Sequence, residues 1–215
     1  QILETGSDVL HIAFSSGLSG TANAARLAAE TLREEFPDRK IIVIDSLCAS
    51  LGQGLLVDYA LRMKDEGKSM EETAQWVQDH LQNICHLFTV DDLKYLQRGG
   101  RISKTTALLG TMIGIKPVLH VDEEGKMVPL SKVRGRKQSI QALVDKMEQN
   151  IGSYRSQKQP IFISHGDCEE DAKYLAGLVK ERFGYDECLI NIIGPTIGAH
   201  AGPGTLALFF LGDVR

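Results

Sequence analysis

Cysteine is scarce in this chain, and its four copies stand far apart. Cys48, Cys85, Cys168 and Cys188 form no C-x-x-C pair. That excludes a disulfide framework and a zinc site of ordinary spacing, and it predicts reduced thiols in a cytoplasmic protein. No apolar run is long enough to span a bilayer, and the start carries no signal-peptide pattern, so stable membrane insertion is not expected. A large excess of one charge is also missing. The formal net charge is -4, which gives no global attraction to nucleic acid or an anionic membrane. The chain does not begin with methionine. It opens at Gln1 on a helix-like stretch with no first strand, and the expectation is that an N-terminal piece is lacking.

The nucleotide motifs are missing as well. No G-x-x-x-x-G-K-[ST] occurs, and Gly52-Gln53-Gly54 and Gly202-Pro203-Gly204 each lack the third glycine of a dinucleotide fingerprint. Both read better as turns or points of close packing. A nucleophile elbow fails by one residue. Gly17 precedes Ser19 by two positions, but Thr21 stands where G-x-S-x-G needs its last glycine. A serine enzyme working on an acyl group or a phosphosugar through Ser19 and His200 stays open as the alternative reading.

What is present is a strand, a hydroxyl- and glycine-rich loop, and a helix. The apolar run at 9–14 reads as a buried strand. Ser15-Ser16-Gly17-Leu18-Ser19-Gly20-Thr21 follows, and the alanine-rich stretch to residue 36 reads as a helix. Glycines let a ligand approach the backbone, and the first N–H groups of a helix point outward unsatisfied. The loop therefore predicts an anion site for a phosphate or a carboxylate.

The rest of the first part continues the alternation. A buried strand at 41–44 ends in Asp45-Ser46, and helices follow at 52–64 and 69–81. Ser69 with Glu72 makes a capping box for the second. Buried strands alternating with amphipathic helices predict a parallel sheet covered on both faces. The pattern changes near Ile84. A strand at 85–90, a short helix at 91–97 and an apolar helix from Lys104 to about Ile113 lead to a hairpin. Its strands, 117–121 and 126–130, flank Asp122-Glu123-Glu124-Gly125. A helix at 135–151, a strand–helix–strand unit (160–164, 172–183, 188–193) and a last buried strand at 205–211 complete the chain. The expected fold is α/β in two lobes, residues 1–83 and 84–215, the first built on a parallel sheet and the second mixed.

Three further features carry chemistry. His200 lies between small residues in the glycine-rich segment 194–204, with space for a ligand against its ring. Arg98-Gly99-Gly100-Arg101 is either a helix C-cap with solvated arginines or an arginine fork that binds a carboxylate or fixes its neighbours. Lys126, Lys132, Arg134, Arg136 and Lys137 gather positive charge, as a solvated face or a docking patch for an acidic partner. The other histidines have no mutual metal spacing. His165, which ends a strand, is the least certain of them.

The loop at 15–21, Val43-Ile44-Asp45-Ser46, Gly99-Gly100-Arg101-Ile102-Ser103-Lys104, Lys116-Pro117 and His200-Ala201-Gly202-Pro203-Gly204 occur in the order seen in the DegV family. The chain resembles that family over essentially its whole length. The resemblance implies two α/β lobes, the first similar to dihydroxyacetone kinase. It implies a protein that binds a long-chain fatty acid between the lobes. Such a protein presents the acid to a separate ATP-binding fatty acid kinase subunit, which makes acyl-phosphate for phospholipid synthesis. No cofactor or metal is implied, and the chain alone catalyses nothing. The family's carboxylate-binding serine falls on Ser19, with Gly20 beside it, its arginine on Arg101 and its histidine on His200. A kinase-engaging arginine falls on Arg134. The family's N-terminal strand and T-S-Q-P threonine have no counterpart here, which implies truncation.

Overall fold

A computed structural model describes residues 1–103 and 114–215. The helix expected from Lys104 lies outside the described residues. The chain builds two sheets. In the first, β1 (Val9–Ala13) runs parallel to β2 (Ile41–Asp45), with Val9 opposite Ile41 and Ala13 opposite Asp45. Successive side chains of a strand point to opposite faces. Val9, Ile41 and Val43 pack with Ala29 and Leu32 of α1 (Thr21–Glu35). Ile12 and Ile44 instead join Leu55 and Leu56 of α2 (Leu51–Asp65). Both faces are apolar because both are covered. Helix α3 (Met70–Asp79) starts on the expected capping box, in which the Glu72 N–H donates to the Ser69 hydroxyl.

The second sheet has the strand order β5-β4-β3-β8-β6-β7. Its members are β3 (Ile84–Thr89), β4 (Ile115–Val121), β5 (Met127–Arg134), β6 (Ile161–His165), β7 (Cys188–Ile192) and β8 (Leu206–Leu211). Every neighbouring pair is antiparallel except β6 and β7, the strand–helix–strand unit read from the sequence. The fold is therefore α/β, with a small parallel sheet and a larger mixed one. Strand β8 is buried along its whole length between β3 and β6. One face of the large sheet packs on α5 (Arg136–Asn150) and α6 (Glu169–Phe183). The other face meets α2, so a single core runs from Ile12 and Ile44 through Leu55 and Leu56 to Phe88, Phe162 and Phe209.

That layering sets the two sheets face to face across α2, and polar ties lock them. The Arg215 guanidinium donates to the carbonyls of Leu81, Val121 and Leu47, which come from three separate segments. His86 on β3 takes the Ala49 N–H on Nε2 (3.3 Å) at the start of α2, while its Nδ1 donates to the Ile84 carbonyl (3.0 Å). Gly52, on the first turn of α2, lies directly against that ring, and no side chain fits between them. The first glycine of the Gly52-Gln53-Gly54 segment is thus a point of close packing. Among the described residues, no helix is long and apolar enough to cross a membrane.

Strand β5 runs four residues past its expected end and α6 starts three residues before its expected start, and two further elements depart from expectation. The glycine-rich segment after β7 is a helix, α7 (Pro195–Ala201), with proline at its start and Gly202 just past its end. Proline suits the first helical position because its missing N–H would be unsatisfied there anyway. Helix α4 (Lys94–Arg98) is shorter than expected at its N-terminal end.

Candidate functional site

The loop between β1 and α1 is built from its own hydroxyls. The Ser15 side chain, fully buried, donates to the Gly125 carbonyl (2.8 Å) and accepts the Gly17 N–H (3.1 Å). It thereby ties the loop to the β4–β5 hairpin turn. Asp45, at the end of β2, accepts the N–H groups of Ser16 and Leu47 through Oδ1. The Ser19 N–H donates to the Ser15 carbonyl (3.0 Å). Its hydroxyl lies 2.7 Å from that of Thr21 and accepts the Thr21 N–H. Helix α1 starts directly behind, with no acidic residue in its first turn. Its N-terminus therefore offers partial positive charge toward the loop.

Arg101 reaches this loop from the other sheet's side. Helix α4 ends in a Schellman turn: the Gly100 N–H bonds to the Gln97 carbonyl, and the Arg101 N–H to the Leu96 carbonyl. Gly100 holds φ +71°, which favours glycine. The turn aims Arg101 at Leu18, whose carbonyl accepts from Nε (3.1 Å) and Nη2 (2.9 Å), while Nη1 donates to the Gly99 carbonyl. The segment combines a C-cap with an arginine that is not solvated but fixes backbone carbonyls. It is a helix C-cap, and its second arginine faces the loop.

His200 comes from the last turn of α7. Its ring lies over Gly99, against the position a Cβ would occupy there. Thr196, Ile197 and His200 share one face of α7 at spacings of three and four. With Phe14, Leu18, Ser19, Thr21, Arg101 and Met127 they enclose a cleft of about 330 Å³. Ser19, Arg101 and His200, distant in sequence, therefore meet at one cavity with Gly20 next to it. A second cavity of about 570 Å³ shares Leu18, Arg101 and Met127 with it. The apolar contributors Phe14, Met127 and Ile197 were not singled out from sequence. The helical spacing of Thr196, Ile197 and His200 is the signal that marks two of the residues lining the cleft.

Gly202 and Gly204, both with positive φ, hold α7 against α4. Tyr95 occupies the space a side chain at Gly202 would need, and Asp91 that at Gly204. Gly99 differs, because its φ of -72° suits any residue. Gly99→Ala should therefore leave stability within about 1 kcal/mol and act through displacement of the His200 ring. Ligand affinity is expected to fall about tenfold, the worth of one hydrogen bond to a charged group. Thermal unfolding measured beside ligand titration checks both halves.

Arg134 is the last residue of β5, exposed, about 23 Å along the strand from Met127 by strand geometry. The basic run is not a uniform surface. Arg136 turns inward, pairing with Asp171 (2.8 Å) and lying 3.7 Å from Asp91, with only 20% of its side chain exposed. Arg136 lies past the end of the strand, at the first position of α5, where Asp171 of α6 supplies a carboxylate. His165 is buried and accepts the Cys168 N–H on Nδ1. Burial pushes the thiols of Cys48 and Cys85 up to about 12. No group of three or more His, Cys, Asp or Glu residues suited to a metal occurs among the described residues.

A family model described as "Uncharacterised protein, DegV family" matches residues 1–213. A DegV domain-containing protein of Clostridium perfringens is 46% identical over the whole chain, which spans 73% of that relative. A solved structure from Thermus thermophilus, described as fatty acid binding of a DegV family protein, is similar at 30% identity and a TM-score of 0.84. The match covers 98% of this chain and 72% of that one. The Streptococcus pneumoniae fatty acid kinase B3 protein, solved loaded with linoleic acid, is similar at 29% identity and a TM-score of 0.83. There the coverage is 93% of this chain and 70% of that one.

Proposed function

The chain belongs to the DegV family, and on that premise we propose that it binds a long-chain fatty acid between its two lobes, divided near residue 83. The observation that carries this reading is the convergence of Ser19, Arg101 and His200 on one largely apolar cleft. The carboxylate rests at Ser19 and Gly20, at the N-terminus of α1, with His200 across from it and Arg101 at the loop. The acyl chain fills the apolar space. Burial of an alkyl chain contributes about 0.8 kcal/mol per methylene, so about fifteen give a gross ~12 kcal/mol. Part of that offsets the lost freedom of the ligand. Affinity is then mainly apolar, and the polar groups set orientation.

In this reading the protein is a cytoplasmic carrier and not an enzyme. Among the described residues the hydrogen bonds of the Ser19 hydroxyl run to Thr21, which suits a donor to a carboxylate better than a nucleophile awaiting a base. The carboxyl group is presented to an ATP-binding kinase subunit for acyl-phosphate formation, with Arg134 in the contact. An organic extract of the purified protein, read by mass spectrometry, should contain a long-chain fatty acid. Finding none, and then no uptake of added acid, rejects the carrier. For the partner, Arg134→Glu should reduce kinase-dependent acyl-phosphate formation at least about tenfold through charge reversal at the contact, with lipid affinity within about twofold. Equal loss of both rejects the docking role.

A further inference from the structure

Arg101 is placed at the cleft, yet most of its guanidinium donors serve the backbone. Three of its five N–H donors go to two carbonyls, those of Leu18 and Gly99. The Leu18–Ser19 peptide is thereby held at both ends, its carbonyl by Arg101 and its N–H by the Ser15 carbonyl. Gly99 is shared, since its carbonyl accepts from Arg101 while its Cα carries the His200 ring. The turn at the end of α4 thus touches both halves of the carboxylate site, which come from different sheets.

We infer that Arg101 is a positioning residue that acts through the Leu18 carbonyl to fix Ser19 in register with His200, and that it is not itself the carboxylate's ligand. This rests on the fatty-acid reading above. A planar fork is needed for the role. Nε and Nη2 converge on one oxygen while Nη1 reaches a second, a pattern that a lysine ammonium, as a single point on a flexible stem, does not reproduce. A residue that merely supplied positive charge to a carboxylate would tolerate lysine.

The test uses the full chain and stearate as probe. Arg101→Lys and Arg101→Gln are each expected to lose about tenfold in stearate affinity, as is Ser19→Ala. The Arg101→Lys/Ser19→Ala double variant should match Ser19→Ala alone within about twofold, because both changes remove one interaction. In ligand-free Arg101→Lys the Ser19 amide should exchange with solvent about tenfold faster, while amides of β8 keep wild-type rates. Losses that multiply, wild-type affinity in Arg101→Lys, or uniform acceleration that includes β8 would each overturn the assignment. Wild-type protein that takes up no stearate overturns the carrier function instead, and the ligand-free Ser19 amide then decides the role of Arg101 alone.

Discussion

Between pH 6.5 and 5 the protein is expected to lose about 1 kcal/mol of stability per pH unit through His86, a slope that steepens toward about 1.4 at the lower end. The ring is fully enclosed between α2 and β3, edge-on to Phe209 with ring centroids 5.3 Å apart. Burial, with the nearby Arg215 charge adding to it, pushes His86 down to about 3 from an ordinary 6.5. The folded chain then stays unprotonated where the unfolded chain takes up a proton. The stability is fully present above pH 6.5 and drains as pH falls toward 3, to a total on the order of 5 kcal/mol. His120, half-buried, is shifted the same way by burial and contributes with the same sign. Denaturant unfolding from pH 7.5 to 5 measures the slope, above the range where carboxylates titrate. His86→Gln keeps an acceptor for the Ala49 N–H without the titration and should remove most of the slope. An unchanged slope in that variant would contradict the assignment to His86.

Gly17→Ala should be the most damaging single methyl in the loop. A Cβ there would lie 2.6 Å from the Glu124 carbonyl oxygen and 2.8 Å from both the carbonyl carbon and oxygen of Gly125. These are backbone atoms of a turn, which no side-chain rotation can clear. The hairpin turn or the loop must withdraw, which strains or breaks the bond from Ser15 to Gly125. Overpacking of this kind costs about 2–3 kcal/mol. Because Leu18 and Ser19 follow directly, ligand affinity should drop with stability, by more than about tenfold. Gly20→Ala supplies the contrast. Nothing lies within 4 Å of its added methyl and its φ is -72°, so its stability should stay within about 0.5 kcal/mol of wild type. Calorimetric unfolding of the two variants side by side measures the difference. Equal behaviour would mean that the hairpin does not brace the loop.

The first sheet and its loop were legible because their signals are local. Strand 9–14, the Ser19 loop and the capping box at Ser69 each lie within a few residues of the groups they organise. The order of the second sheet was not legible, since β8 inserts between β3 and β6 through pairings that no short-range pattern encodes. Helix α7 was hidden by Gly198 in its middle and by its seven-residue length, although Pro195 and Gly202 mark its two ends. Ser19, Arg101 and His200 stood out by residue type. What positions them did not, because Gly99 and Gly17 owe their importance to partners brought close only by the fold. Arg136 read as surface charge for the same reason, its Asp171 partner lying 35 residues away in α6.

The central claim is that one cleft selects an acyl chain by its carboxylate. Competition between stearate and the alcohol of equal chain length measures this directly, since the two share the apolar burial and differ in the headgroup. The wild type is predicted to prefer the acid by at least about tenfold, and Ser19→Ala/His200→Ala to lose that preference while still binding both. Equal affinity of the wild type for acid and alcohol would contradict a carboxylate site at Ser19 and His200.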